Sequence, residues 1–213
     1  DAKPPSAAPR GIPFPAEKLK EAKSQREVDE TLRNLPMKAS AKEYLLEAMP
    51  EVIKRYPEAL FLFGGPYQKI IGEEQYYQKL EPRIAEFQAS GNWKFLGPLD
   101  PEEAAAFLAN LDLLVVPSLN STESFGLVQI EAMMNRVRCV TSNLPGVRQP
   151  VTVHAMGSIF EIGNPQDLAQ KLLVNLDRSK SESLINDDFS MYSPLRVADG
   201  YIKLFQEISE ELA

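Results

Sequence analysis

Short apolar runs alternate along most of the chain with longer segments whose apolar residues recur at three- and four-residue steps. Residues 59–63, Ala-Leu-Phe-Leu-Phe, form an unbroken apolar run stopped by Gly64-Gly65-Pro66, the pattern of a parallel strand buried on both faces. Similar runs at 93–96, 113–116, 137–141 and 158–162 predict four more strands. Tyr44, Leu45, Ala48, Met49 and Ile53 mark one face of a helix that Pro57 stops. Further helices are predicted at 73–89, 101–110, 124–135, 165–176 and 192–212. The last carries Val197, Tyr201, Leu204, Phe205 and Ile208 on one side and is expected to close the domain.

Strands separated by helices imply crossover connections and a parallel sheet covered on both sides. The expected fold is therefore α/β, a doubly wound, Rossmann-like parallel sheet. Residues 1–15 hold five prolines and few large apolar side chains, so they are expected to form a flexible N-terminal arm. Residues 16–213 are expected to form one domain, beginning with an exposed, Lys- and Glu-rich helix at 16–33 and ending in the C-terminal helix.

Composition narrows the partners. The net charge is −7, and the cations are interleaved with acids, which leaves no basic face for a phosphate backbone and argues against nucleic acid. One cysteine and one histidine allow neither an internal disulfide nor a Cys/His metal cluster, so no metal is expected and a reducing, cytoplasmic setting fits. No apolar run approaches the roughly 18 residues of a membrane span. Cys139 falls in a buried strand and reads as core, as do Trp93 and Phe95. His154 has no acidic partner nearby in sequence and reads as structural or exposed, not catalytic.

The chemistry-bearing stretch runs from Asp112 to Asn135: an apolar strand through Val116, a polar loop, then a helix opening near Ser124. That order puts the loop and the helix start at the carboxyl edge of the sheet, where α/β domains bind ligands. Free amides of Phe125, Gly126 and Leu127 at the positive end of the helix dipole suit a phosphate or a sugar hydroxyl. Gly126, lacking Cβ, lets a ligand approach the main chain. Glu123 and Glu131 stand eight positions apart, a little over two helical turns, so two carboxylates on one side could grip two ends of one ligand.

The Glu-seven residues-Glu spacing, with Phe-Gly-Leu after the first Glu, a Val-Val-Pro-Ser strand before it and Glu-Ala-Met-Met after, resembles the signature of retaining GT-B glycosyltransferases of family 4. Further matches are Leu45-Leu46-Glu47-Ala48, Arg55-Tyr56-Pro57, Phe63-Gly64-Gly65, Phe95-Leu96-Gly97 and Ser142-Asn143-Leu144-Pro145-Gly146-Val147. The resemblance implies half of a GT-B enzyme: the domain that binds a nucleotide-diphosphate sugar, with the N-terminal acceptor domain missing. It further implies sugar transfer with retention when the halves are joined, an inactive isolated chain, and no cofactor or obligatory metal. By the same resemblance Glu123, Arg33 and Lys38 are the catalytic residues, the two cations neutralising the donor diphosphate. Ser124, Phe125, Gly126, Leu127, Glu131 and Gly65 bind the donor, Glu131 at its ribose. The alternative is a non-catalytic nucleotide or nucleotide-sugar binding module.

The chain departs from the family pattern in three places, the first being Ala39, which stands where a glycine usually follows the Lys, with a two-residue insertion before Tyr44. Residues 27–32, Glu-Val-Asp-Glu-Thr-Leu, stand where the family has an apolar strand and are too charged for a central parallel strand. Arg136-Val137-Arg138 replaces a Gly-x-Pro turn, so that turn is made by residues with no turn preference.

Overall fold

The computed structural model describes residues 41–67, 74–119, 125–178 and 188–211. The expected arm at 1–15, the helix at 16–33, and Arg33, Lys38, Glu123 and Ser124 lie outside the described residues. The elements are α1 (Ala41–Arg55), β1 (Phe61–Gly64), α2 (Glu74–Ala89), β2 (Trp93–Gly97), α3 (Pro101–Ala109), β3 (Leu113–Val116) and α4 (Leu127–Met134). They continue with β4 (Arg138–Ser142), α5 (Gln149–His154), β5 (Gly157–Phe160), α6 (Pro165–Leu176), a 3-10 turn (Ser190–Tyr192) and α7 (Pro194–Glu211).

Among the described residues all strand pairs are parallel, and every strand is joined to the next through a helix. This is the α/β, Rossmann-like class that the alternation predicts. Among the described residues the strands form two groups, β1-β2 and β3-β4-β5. Phe61 lies opposite Trp93 in the first, Leu113 opposite Arg138 and Cys139 opposite Gly157 in the second.

Local sequence sets the boundaries. Asp100 caps α3 by accepting from the Glu103 amide at 2.9 Å, while the Glu103 carboxylate accepts from the Asp100 amide at 3.0 Å, a capping box with Pro101 at the first helical position. Asn164 caps α6 through the Asp167 amide, again with a proline first. At the end of α4, Arg136 takes the left-handed conformation (φ 61) that glycine usually supplies. Its amide donates to Met133 O at 2.9 Å and that of Val137 to Ala132 O at 3.0 Å, the bond pattern of a Schellman motif. The turn thus closes without glycine.

The core lies on both faces of the three-stranded group. On one face Ala132 and Met133 of α4 meet Leu108, Val137, Cys139 and Met156. On the other, α1 and α6 pack together, burying Tyr44, Ala48, Val52, Leu168 and Leu172 against Val140 and Phe160. A third cluster joins Leu46 and Met49 to Leu80, Ile84 and Trp93. Each side chain of this size contributes about 1.5–3 kcal/mol on full burial. Cys139 is fully buried, and burial pushes its thiol far above the ordinary range.

The expectation that α7 closes the domain is not met. Val197, Tyr201, Leu204, Phe205 and Ile208 are all exposed, and among the described elements the helix contacts chiefly the 3-10 turn before it. Helical periodicity defines an apolar stripe but not what meets it. No described helix is long and apolar enough to cross a membrane.

Candidate functional site

β3 delivers the chain to the carboxyl edge at Val116, and Pro117, Ser118 and Leu119 lead away from it. The described chain resumes at Phe125 and Gly126. Gly126, at φ 75 and ψ 66, is left-handed and forms the cap of α4, so the helix starts at Leu127, three residues later than the apolar pattern predicts. A side chain there would carry a strain of about 1–2 kcal/mol.

The α4 start is open to solvent. Leu127 is 67% exposed, and among the described residues the amides of Phe125, Gly126 and Leu127 donate to no other group. Three donors at the positive end of a helix, without a partner among the described residues, suit an anionic or hydroxyl-bearing ligand. Glu131 follows Leu127 by one turn and is likewise exposed, so its carboxylate shares that face. The structure therefore brings together Phe125, Gly126, Leu127 and Glu131.

The inner side of the helix start is buttressed. Gln129 is fully buried and its Nε2 donates to Val147 O at 2.8 Å, tying α4 to the loop after β4, while its Oε1 has no partner. In that loop Arg148 Nη1 donates to Asn143 Oδ1 at 2.8 Å, and Asn143 Nδ2 to Glu161 Oε1 at 3.2 Å. Gln129 and Arg148 carry no motif. Their one signal in the sequence is a polar residue on the apolar face of α4 and a cation just past the family-like loop.

Phe125 rests against Tyr192, with ring centroids 5.8 Å apart. His154 Nε2 lies 2.9 Å from the Tyr192 hydroxyl, and the imidazole, fully buried, stacks on Phe189 at 4.5 Å. Burial pushes the Tyr192 hydroxyl above its ordinary pKa. His154 is thus structural, as expected, and supports Phe125 through Tyr192.

Gly65 sits just beyond β1 in a left-handed conformation (φ 125), its amide donating to Gly97 O at 2.8 Å. What it can offer a ligand is the space above a residue without Cβ, since the nearest atom to an added Cβ is 4.0 Å away.

Arg136 and Arg138 belong to the opposite rim. Arg138 opens β4 opposite Leu113, the first residue of β3, and both arginines line a cavity of about 330 Å³ with Tyr56, Asp112 and Arg178. Their departure from the family turn does not alter the α4 start. Among the described residues no cluster of His, Cys, Asp or Glu could hold a metal ion.

Parallel strands, a helix on every crossover and a solvent-open helix start at the carboxyl edge define a Rossmann-like α/β domain of the kind that forms half of a GT-B protein. The chain belongs to the Glycosyl transferases group 1 family, whose model matches residues 38–186. It is 26% identical over 146 residues to an uncharacterized glycosyltransferase of Methanocaldococcus jannaschii, covering 67% of this chain and 41% of that protein. Among solved structures it is similar to sucrose-phosphate synthase of Thermosynechococcus elongatus, with a TM-score of 0.62 and 19% identity over 89% of this chain and 49% of that one. It is also similar to Anabaena HepE, solved in complex with UDP and glucose, with a TM-score of 0.51 and 19% identity over 78% and 43% of the two chains. The chain therefore spans less than half the length of each of these proteins.

Proposed function

We propose that this chain is the donor-binding, C-terminal half of a retaining glycosyltransferase of the family 4 type, which moves a sugar from a nucleotide diphosphate to an acceptor held by a separate N-terminal domain. The observation that carries this reading is the open α4 start, where three amides without a partner among the described residues stand one turn before the exposed Glu131. Phe125, Gly126 and Leu127 hold the distal phosphate and the transferred sugar through their amides, with Ser124 beside them and Gly65 allowing close approach. Glu131 accepts from the ribose hydroxyls, each charge-assisted bond contributing about 1.5–3 kcal/mol. Glu123 contacts the sugar, and Arg33 and Lys38 neutralise the diphosphate as the glycosidic bond breaks, stabilising the leaving group where its charge grows. The half alone lacks an acceptor and turns nothing over.

A second reading, a nucleotide-binding module without catalysis, draws on Arg136 and Arg138, which stand where the family has a Gly-x-Pro turn. It differs in predicting binding without turnover when an acceptor half is added. The test of the shared claim is calorimetric titration of the chain and of Glu131→Ala with UDP, GDP, ADP and their sugars. The expected result is base-selective binding that the substitution weakens by about 1–3 kcal/mol, roughly 5- to 150-fold. Equal affinity in both proteins would remove Glu131 from the site.

A further inference from the structure

The amino edge of the sheet, on the rim opposite the α4 start, carries a sequence departure that the donor-binding reading does not use: Arg136-Val137-Arg138 in place of a Gly-x-Pro turn. Arg136 is held at φ 61, yet neither bond that closes α4 involves its side chain. Glycine would close the same turn without strain. Non-glycine residues held in the left-handed region cluster at ligand clamps and switch regions, so the strain directs attention to what the Arg136 side chain can hold.

Four segments converge around it. Arg138 opens β4 opposite Leu113, so Arg136 and Asp112 stand just ahead of these paired strands. Glu58 leads into β1, and Asn175 and Arg178 belong to the end of α6 and the residues just past it. All six line the cavity of about 330 Å³. Arg136 and Arg178 are exposed and form no ion pair among the described residues, whereas Arg138 and Asp112 each interact with another group. Asp177, beside Arg178 in sequence, is engaged by the Tyr56 hydroxyl and Arg55.

The cavity also offers acceptors. Asn175 is only 3% exposed, and its Nδ2 donates to Lys171 O at 2.7 Å and to Ser158 Oγ at 2.8 Å. The Lys171 carbonyl needs a donor, which fixes the orientation of the amide and leaves Oδ1 buried without a partner among the described residues. Guanidinium forks match the oxygens of a phosphate. Inorganic phosphate alone would leave Asn175 Oδ1 unsatisfied and set its charge beside Glu58, whereas a ligand with hydroxyls next to its phosphate supplies donors to both. The volume lies at the small end for ligand pockets and suits a monosaccharide better than a nucleotide.

We propose that this cavity binds a small hydroxyl-bearing phosphate monoester of the sugar phosphate class, its phosphate held by Arg136 and Arg178 and its hydroxyls donating to Glu58 and Asn175 Oδ1. The site does not depend on nucleotide binding at the α4 start.

The test titrates the full chain with glucose 6-phosphate, inorganic phosphate and glucose, followed by backbone and side-chain amide NMR. The expected result is saturable shifts at Arg136, Arg138, Arg178 and the Asn175 side chain with glucose 6-phosphate, binding at least tenfold weaker with inorganic phosphate, and none with glucose. Arg136→Gly, which keeps the turn, and Arg178→Gln each weaken the ester at least tenfold, and excess UDP does not displace it. The proposal is overturned if no saturable shifts appear at these residues, or if either variant binds the ester as tightly as the parent chain. Inorganic phosphate binding as tightly as the ester would overturn it by leaving an unspecific anion contact, and displacement by UDP would overturn it by making the cavity part of the nucleotide site.

Discussion

Replacing Arg136 by glycine is expected to stabilise the protein. The residue is held at φ 61 by the closing bonds of α4, Arg136 N to Met133 O and Val137 N to Ala132 O, and neither bond involves its side chain. The left-handed conformation costs an L-residue about 1–2 kcal/mol. Glycine removes that strain but adds about 0.4–1 kcal/mol of unfolded-state entropy, leaving a net gain of about 0.8 kcal/mol. The side chain is exposed and lines one cavity with Arg138, Arg178, Glu58 and Asp112, so its loss removes no core contact. For a domain of this size the gain raises Tm by about 2–3 °C. Urea unfolding at constant m measures it, and Arg136→Ala separates backbone strain from charge, since alanine removes the charge but keeps Cβ. If alanine gains as much as glycine, or if glycine destabilises, the strain argument is refuted.

Gly157→Ala has the opposite sign. At φ 147 an added Cβ would lie 1.8 Å from Cys139 O in the neighbouring strand, so β5 has to part from β4, and backbone strain plus two lost ladder bonds cost about 3 kcal/mol or more. A loss below about 1 kcal/mol in urea unfolding would contradict the register described here. Tyr192→Phe keeps the ring against Phe125 but deletes the hydroxyl 2.9 Å from buried His154, and is expected to cost about 1–2 kcal/mol without altering nucleotide affinity. Unchanged stability would show that the pair does not hold His154.

The alternation of runs made most of the fold legible, and where the residues carry their own stops the boundaries agree to the residue. β3 runs Leu113–Val116 as its apolar run does, and α6 runs Pro165–Leu176 because Asn164 and Pro165 mark its start. β1 begins two residues late because Asn92 Nδ2 donates to the carbonyls of Pro57 and Ala59 and holds that approach out of the ladder. α5 went unpredicted: Gln-Pro-Val-Thr-Val-His is six residues with three β-branched side chains, too short for a helical period to show. The exposed apolar face of α7 was illegible, because its exposure depends on what lies opposite it, and a single sequence records the surface only. Of the candidate site, the strand-loop-helix order brought Phe125, Gly126, Leu127 and Glu131 to one helix start, set three residues too early, whereas Gln129 and Arg148 act through contacts that only the folded chain reveals.

The account rests on the α4 start being where a nucleotide diphosphate binds, and amide chemical-shift mapping of the chain titrated with UDP tests this most directly. The largest saturable shifts are expected at Phe125, Gly126 and Leu127, with smaller ones at Glu131. Shifts centred instead on the rim of Arg136, Arg138 and Arg178, or spread without saturation, would contradict it.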